Sequence, residues 1–497
     1  MLIRHYLATQ NENEMASTEQ GMHSIFSKED VVEAILQNID EETRTEKSVE
    51  RYLKCAVGLE DGGLTLDEKE AQEQAERFMD WARGKSLVKV VQGDVPEGII
   101  PSGKAVLLDV KVAAKGAPDD KIYERNKDIR AKVARGNSFL HITSGPHSSL
   151  SCIIYALKKF SGGLGDEDDN GRGDNVTWQK YFTKPLDEAT HFVATRKANG
   201  EAAHFSARHI GSRVVLCGGS KNVHLLFRSN DDIWKHTDSR YKVAKEVCLA
   251  IWNSLEEMDE DCRKRLLSFL CHSHFTAVFE ILQPNYQHVE DLSHLKQAEL
   301  KFITWTSSVL EADSKSQLCA VSPHVSMQIA QAVGLSTVKY DVLPIIQLEE
   351  RMKAVRQGYQ YEGEVFYFLD ADEAVIGLLK KKTIWYIIVR AIREKVRGAC
   401  NSYAKSANFS ESSSKSKINR RISEIQQWLG LDNQSTRAWQ TLGCEFLLWT
   451  IKEMKRARET RQLIADFFPV MWKRFLEKEG KSDCISSVWT EPEGSDD

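Results

Sequence analysis

Residues 191–201 read His-Phe-Val-Ala-Thr-Arg-Lys-Ala-Asn-Gly-Glu. The apolar, β-branched start predicts a strand that ends at Lys197, and Gly200 follows three residues later. A lysine amine can attack phosphorus when its surroundings lower its pKa, and a glycine lets the backbone approach a nucleotide closely. The Lys-x-x-Gly pattern is common in long chains, and an ordinary lysine at a strand end is the alternative interpretation. The segments that accompany it therefore decide its meaning.

Several other segments combine basic or acidic residues with glycine or with a predicted strand. In chain order they are Ala134-Arg135-Gly136, Lys158-Lys159-Phe160, Gly218-Gly219-Ser220-Lys221, Phe279-Glu280-Ile281-Leu282-Gln283-Pro284, Glu362-Gly363-Glu364 and Lys380-Lys381-Lys382-Thr383-Ile384-Trp385-Tyr386. On a strand, Lys380 and Lys382 project to the same face because side chains alternate. Two lysines on one face beside two isolated carboxylates are typical of a site for phosphate chemistry.

This ordered set resembles the motifs of the covalent nucleotidyltransferase superfamily of ligases and capping enzymes. Within it, the set is most similar to ATP-dependent RNA ligases of the phage RNA ligase 1 type. The Phe-Glu-x-x-x-Pro run at residues 279–284 and the Lys-x-Lys before Trp385-Tyr386 favour that branch. The resemblance covers about residues 105–395. It implies an α+β fold, with a ligase-type adenylyltransferase domain built on antiparallel β-sheets with flanking helices.

The resemblance also implies roles for the residues nearest to the reaction. Lys197 is expected to attack the α-phosphate of ATP and form a lysyl-AMP bond. Lys380 and Lys382 are expected to neutralise that phosphate, and Glu362 to hold a divalent metal, Mg²⁺ or Mn²⁺. Glu280 is expected to contact the ribose. These residues form the predicted catalytic centre.

Other motif residues are implied to bind the rest of the nucleotide. Lys221 is expected to contact phosphate or the RNA end. The lysine of the 158–160 element that contacts the β- and γ-phosphates is left open, because that element departs from the Lys-Phe-Phe of the family. The remaining predicted nucleotide contacts are Arg135, Lys158 or Lys159, Phe160 and Gly200.

The activity implied is ATP-dependent joining of RNA 5′-phosphate and 3′-hydroxyl ends, as in RNA repair or tRNA end joining. The expected partners are therefore ATP and RNA, with tRNA among the candidates. Two other functions stay open. One is a related DNA ligase or capping guanylyltransferase, and the other is an RNA-end-binding protein without catalysis.

The 497 residues carry a formal net charge of −5, but the charge is unevenly distributed. Residues 378–481 contain 22 Lys and Arg against 10 Asp and Glu, which favours binding of a polyanion. We expect three regions: a mostly helical N-terminal region (1–95), the adenylyltransferase domain (96–400) and a basic, all-helical C-terminal domain (401–497). One C-terminal helix is predicted to present basic residues to RNA, namely Lys452, Lys455, Arg456, Arg458 and Arg461.

Composition excludes several other classes. Apolar runs are too short for a transmembrane helix, and the start of the chain lacks the apolar core of a secretory signal. Ten cysteines occur without a Cys-x-x-Cys pair, which argues against a zinc ribbon and favours an intracellular protein, cytoplasmic or nuclear. The Ser- and Lys-rich residues 406–417 are predicted to be a linker.

Overall fold

The computed structural model describes residues 25–39, 47–101, 103–113, 116, 118–160, 179, 181–311, 318–405, 409–457 and 459–481. The described part is an α+β fold with three antiparallel β-sheets, flanking helices and a helical C-terminal region. The predicted fold class is therefore confirmed.

The elements follow one another as helices, then mostly strands, then helices again. The helices are α1 (Lys28–Leu36), α2 (Lys47–Ala56), α3 (Glu68–Arg83), α4 (Asp119–Arg125), α5 (Lys127–Lys132), α6 (Asn230–Trp234), α7 (Lys242–Glu257), α8 (Glu260–Ser273), α9 (Pro323–Ala332), α10 (Leu348–Arg356), α11 (Ile384–Lys405), α12 (Glu411–Leu429), α13 (Asn433–Arg456), α14 (Thr460–Asp466) and α15 (Phe468–Lys478). The strands are β1 (Val88–Asp94), β2 (Ala105–Val112), β3 (Asn137–Ile142), β4 (Ser149–Tyr155), β5 (His191–Arg196), β6 (Glu201–Ile210), β7 (Arg213–Ser220), β8 (His224–Phe227), β9 (Thr276–Leu282), β10 (Glu299–Thr306), β11 (Tyr340–Pro344), β12 (Gly363–Leu369) and β13 (Val375–Lys382).

The strand that leads to Lys197 lies inside a four-stranded sheet of order β11-β5-β12-β13. Phe192 belongs to one buried apolar cluster and Val193 to another, because neighbouring side chains of a strand point to opposite faces. Both faces of this sheet are thus covered. This explains why β5 and β12 read as continuous apolar runs rather than as alternating ones.

A five-stranded sheet of order β10-β9-β6-β7-β8 begins immediately after that strand. Its core contains side chains from helices α7 and α8, such as Ile251 and Phe269. Residues 197–200 therefore cross from one sheet to the other. The crossing places Lys197 where β9 of one sheet and the start of β12 of the other come together.

The third sheet, of order β1-β2-β3-β4, packs helix α3 on one face through a cluster that includes Phe78 and Phe139. Its other face shares a cluster with the five-stranded sheet, to which Leu140 and Val215 contribute. The segments just before β3 and just after β4 hold Arg135 and Lys158. The stacked sheets bring both segments to the crossing at Lys197.

The C-terminal helices begin immediately after the last strand, β13. The hydroxyl of Thr383 accepts a hydrogen bond from the Tyr386 amide at 3.0 Å and so caps α11, which starts at Ile384. By sequence, the apolar run at residues 385–389 is compatible with a strand or with the start of a helix. The structure shows a helix there, and both of its sides are buried. Helix α11 continues past residue 400 and packs on α12 and α13.

Two further expectations for this region are corrected. The predicted linker is helical from Glu411 onward, because Ser410 caps α12 and Ile418 and Ile422 bury its inner face; residues 406–408 lie outside the described residues. The predicted single basic helix ends at Arg456, so Arg461 belongs to α14, and Arg458 lies outside the described residues. Among the described helices, none is both long and apolar enough to cross a membrane.

Candidate active site

Lys197 lies at the end of β5, and two strands fix its backbone. Its amide donates a hydrogen bond to the carbonyl of Gly363 at 2.9 Å. The residue is therefore bound to the start of β12, which directly follows Glu362. This backbone contact brings the predicted nucleophile and the predicted metal ligand together.

Two carboxylates, a buried one from Glu362 and a partly buried one from Glu280, face the Lys197 amine. Its Nζ lies 3.2 Å from Oε1 of Glu362 and 4.0 Å from Oε1 of Glu280. The Lys197 side chain is 18% exposed and that of Glu362 only 6%. The three residues span 165 positions of sequence, from 197 to 362, and the crossing between the two sheets gathers them at one point.

The charges of these three residues determine that the lysine carries a proton. Burial opposes a charged Lys197, but the negative charges of Glu362 and Glu280 outweigh burial and raise the pKa of the lysine. Burial likewise opposes the charge on Glu362, yet Lys197 and Lys382 keep the pKa of that carboxyl below its usual value. Without nucleotide, Lys197 is therefore an ammonium ion paired with an ionised Glu362.

Asn199 joins this trio to its surroundings. Its amide nitrogen donates to Oε2 of Glu362 at 2.7 Å and to the hydroxyl of Tyr386 at 3.3 Å. Its oxygen accepts from the backbone amides of Val289 and Glu290. The Lys-Ala-Asn-Gly turn is thereby tied to β12, to α11 and to the loop after β9.

Gly200 is required at its position for space. An added Cβ would lie 2.1 Å from the carbonyl oxygen of Ile281, so any side chain there would push β9 away. The amide of Gly200 donates to Oε1 of Glu280 at 3.2 Å. The glycine of the Lys-x-x-Gly pattern thus fixes Glu280 beside the lysine.

A cavity of about 250 Å³ opens beside Lys197. Its walls are largely apolar, and Leu157, Val338 and Val365 contribute to them. Of the residues predicted from sequence, the lining contains Arg135, Lys158, Phe160, Lys197, Glu280 and Lys380. Apolar walls with a few charged groups are typical of a site for a nucleotide-like ligand.

Lys380 stands among cations within this cavity. Burial, together with Lys197, Arg135, Lys159 and Lys382, lowers the pKa of Lys380 to about 7. Its Nζ lies 4.8 Å from the centre of the Phe160 ring, a cation–π contact. A cluster of like charges in a cavity favours an anion, because an anion relieves both the repulsion and the desolvation.

The cations around Lys380 include two that are bound to an acidic residue of α4. Asp120 accepts from Lys159 at 2.8 Å and from Arg135 at 3.1 Å. Burial opposes the charge of Asp120, but these cations hold the pKa of its carboxyl below the usual value. The amine of Lys159 is bound to Asp120, and Lys159 does not line the cavity, whereas Lys158 does.

Lys221 lies outside this set. Its amine pairs with Asp119, also of α4, and Lys221 does not line the cavity beside Lys197. Lys382 is buried and contributes its positive charge to Glu362 from the same face of β13 as Lys380. The structure thus gathers most of the predicted site residues around Lys197, with Lys221 on its margin.

Sequence reasoning did not find several neighbours of the trio. Asn199 lies within the Lys-x-x-Gly pattern and Tyr386 at the end of the 380–386 motif, so their place in these motifs was the signal that could have found them. Glu290 accepts from the Glu362 amide at 2.6 Å, and burial raises its pKa to about 7. Asp119 and Asp120 carry no sequence signal, because only the fold places α4 against the predicted phosphate-binding residues.

The residues around Glu362 fit one kind of divalent-cation binding. Among the described residues, no group of three or more His, Cys, Asp and Glu side chains is arranged to hold a metal. Mg²⁺ is commonly bound by one or two carboxylates together with waters and substrate phosphates. Glu362 is ionised and lies beside Lys197, which lines the cavity, so it suits that kind of binding. Glu280 and Glu290 are two further carboxylates close enough for the charge of Glu362 to act on them.

Comparison with known proteins adds a family. Residues 105–393 match a family described as a domain of unknown function, DUF7920. The chain belongs to the DUF7920 family. That matched range runs from β2 into α11, and so contains the whole crossing, the cavity and every predicted site residue. No curated protein matches the chain.

Among solved structures, the chain is similar to a Naegleria gruberi RNA ligase, a mutant with ATP and Mn. The two are 12% identical, with a TM-score of 0.24, and the match covers 60% of this chain and 98% of the other. At that TM-score the two chains superpose poorly, so the match bears on neither the mechanism nor the substrate of this DUF7920 chain.

Proposed function

We propose that the chain is an ATP-dependent RNA ligase that joins 5′-phosphate and 3′-hydroxyl ends through lysyl-AMP and adenylylated RNA. One observation carries the proposal. Lys197 lies between Glu362 and Glu280 at one side of a cavity, and Lys380 with its neighbouring cations lies in the same cavity. The motif order in the sequence supports the same assignment.

In the first step, Nζ of Lys197 attacks the α-phosphorus of ATP. A nitrogen–phosphorus bond forms, the bond to the bridging oxygen of the β-phosphate breaks, and pyrophosphate leaves. Lys380 and Lys382 neutralise the negative charge that develops on the α-phosphate. Glu280 and Asn199 hold the lysine and Glu362 in place, which reduces the entropic cost of the attack.

The proton of Lys197 must leave before the attack. The Glu362–Lys197 pair keeps this proton on the lysine in the nucleotide-free protein. A divalent cation bound at Glu362 would supply positive charge against the phosphates and weaken the hold of Glu362 on the proton. With Glu362 engaged by the cation, the carboxylate of Glu280, 4.0 Å from the amine and with a pKa raised by burial, is placed to accept it.

Two more transfers complete the reaction. An oxygen of the RNA 5′-phosphate attacks the phosphorus of lysyl-AMP, the nitrogen–phosphorus bond breaks, and adenylylated RNA forms. The 3′-hydroxyl of the other end then attacks the RNA 5′-phosphorus, and AMP leaves as the phosphodiester bond forms. The same cations serve each transfer because all three create charge at a phosphate.

The proposal is tested by incubating the purified chain with α-labelled ATP and Mg²⁺, followed by a denaturing gel. We expect a labelled band for the wild type and none for Lys197→Ala. Lys85→Ala is the matched control, since Lys85 pairs with Asp128 on another part of the surface and does not line the cavity. It should label like the wild type.

Different outcomes separate the alternatives. Labelling by GTP instead of ATP would indicate a capping guanylyltransferase, and joining of nicked DNA but not of RNA would indicate a DNA ligase. RNA binding by a folded protein that forms no nucleotide adduct would overturn the ligase proposal in favour of a non-catalytic RNA-end-binding protein. Nucleotide-free protein must be used, because bound AMP would block the label.

A further inference from the structure

Helix α11 carries basic residues on the face that contacts the candidate active site. Tyr386 on its first turn bonds to Asn199, which in turn bonds to Glu362. Arg390, Arg393 and Arg397 follow Tyr386 by four, seven and eleven residues, a spacing that places all of them on one side of a helix. We call these three residues the arginine face.

His288 connects this face to the reacting groups. It comes from the loop after β9, and the charges that act on it are those of Arg393, Glu362, Lys197 and Arg397. His288 is thus close enough to both the arginine face and the Lys197–Glu362 pair for the charges of both to act on it. Tyr386, on the same side of α11, bonds to Asn199 at 3.3 Å, so the arginine face is next to the site.

The arginines of this face differ in their partners. Arg390 pairs with Glu394 at 3.3 Å on the same helix. In the part of the chain that the structure describes, Arg393 and Arg397 form no ion pair with a carboxylate. The Nε atom of Arg393 is buried and makes no hydrogen bond. Burial, together with Arg397, lowers the pKa of Arg393 and outweighs the opposing influence of Glu394 and Tyr386.

We propose that Arg393 and Arg397 bind the sugar–phosphate backbone of the single-stranded RNA end that reacts at Lys197. The guanidinium group is suited to phosphate because its planar set of donors matches the phosphate oxygens. The inference rests on the proposed function for the identity of the polyanion. It goes beyond that function by assigning the RNA path to α11. The sequence had predicted RNA contacts on α13 instead.

An RNA-binding titration with the full-length chain tests the inference. The probe is a fluorescent, 5′-phosphorylated RNA oligonucleotide, and its affinity is measured by anisotropy at several salt concentrations. Arg393→Ala and Arg397→Ala should each weaken binding about tenfold, since a hydrogen bond to a charged group is lost. Each should also reduce the slope of log affinity against log salt by about 0.7, the value for one phosphate of a single strand.

Two further variants separate local contacts from general charge. Arg83→Ala removes one exposed positive charge from α3, and its affinity should equal that of the wild type. Arg393→Lys keeps the charge, so it should retain the salt slope while losing part of the affinity. Alanine is the best helix former, so α11 should stay intact in the alanine variants, and thermal unfolding checks this.

The double variant Arg393→Ala/Arg397→Ala decides the matter. If it binds RNA with wild-type affinity and salt slope, the inference is wrong, and these arginines serve another partner such as an acidic protein. Lysyl-AMP formation is measured in parallel on the wild type. Its absence would overturn the proposed function, whereas the RNA titration would still report separately on the arginine face.

Discussion

Lys197 and Lys380 are two partly buried lysines of the same cavity, yet their surroundings shift their pKa values in opposite directions. Burial disfavours the charge on each of them. At Lys197 the carboxylates of Glu362 and Glu280 outweigh burial, and the pKa rises. At Lys380 burial and the surrounding cations act together, and the pKa falls to about 7.

The difference teaches that a low pKa does not by itself identify the nucleophile. By pKa alone, Lys380 would be the more reactive amine at neutral pH. The charge pattern indicates another division of roles. In the described part of the chain Lys380 forms no ion pair with a carboxylate, so a phosphate group bound there would raise its pKa and keep it charged. Lys197, by contrast, is held in a fixed position by carboxylates until the nucleotide arrives.

The strongest way to break this contrast is to remove the charge that fixes Lys197. Glu362→Gln should reduce lysyl-AMP formation about 10²–10³-fold, the loss typical of removing one preorganised electrostatic group. Residual labelling should reach its plateau at lower pH than in the wild type, because the pKa of Lys197 falls when Glu362 no longer carries charge. Labelling rates measured across pH check both effects.

Glu364→Gln is the matched control for that variant. Glu364 lies two residues further along the chain and pairs with Arg351 at 2.8 Å instead of with Lys197. Its labelling rate should stay within about threefold of the wild type, since Glu364 is bound to Arg351 and does not line the cavity. Equal losses in the two glutamine variants would contradict the role of Glu362.

The Lys380→Met variant tests the other lysine of the comparison. Labelling should fall about 10–100-fold, because a charge that faces the α-phosphate is lost. Thermal stability should rise, because a desolvated charge among cations is removed. Melting temperatures of the wild type and the variant, measured from pH 6 to pH 10, check the prediction.

The sign of the pH dependence follows from the lowered pKa. Between pH 7 and the usual value of 10.5, the unfolded chain binds a proton at Lys380 that the folded chain does not. The stability of the wild type therefore rises with pH in this window, and the penalty from Lys380 is complete below pH 7. The stability gained by Lys380→Met should be largest at pH 6 and smallest near pH 10. A variant that is less stable than the wild type at pH 6 would contradict this account.

The smallest expected effect concerns the acidic residues that bind cations near Lys380. Asp120→Asn should raise the affinity for pyrophosphate about three- to tenfold, because Arg135 and Lys159 lose the carboxylate that competes with phosphate. Isothermal titration calorimetry with pyrophosphate measures this. Asp119→Asn is the control, since its partner Lys221 does not line the cavity. Unchanged affinity in Asp120→Asn would show that Asp120 does not compete with the ligand.

Sequence reasoning reached the strands around Lys197 because they are short apolar runs that end at glycine or at charged residues. It also reached Glu280, Glu362 and Lys380, whose motif order places them near the lysine. It could not reach Glu290 or Asp120, because their contacts depend on loop and helix positions set by packing between sheets. The start of α11 stayed open between strand and helix, since a fully buried apolar run does not distinguish the two.

The central claim is that Lys197, and not the lower-pKa Lys380, becomes bonded to AMP. Nucleotide-free protein is incubated with ATP and Mg²⁺, digested under conditions that preserve nitrogen–phosphorus bonds, and analysed by peptide mass spectrometry. We predict an AMP adduct on the peptide that contains Lys197, with fragment ions that place it on that residue. An adduct on Lys380, or no adduct on any peptide, would contradict the account.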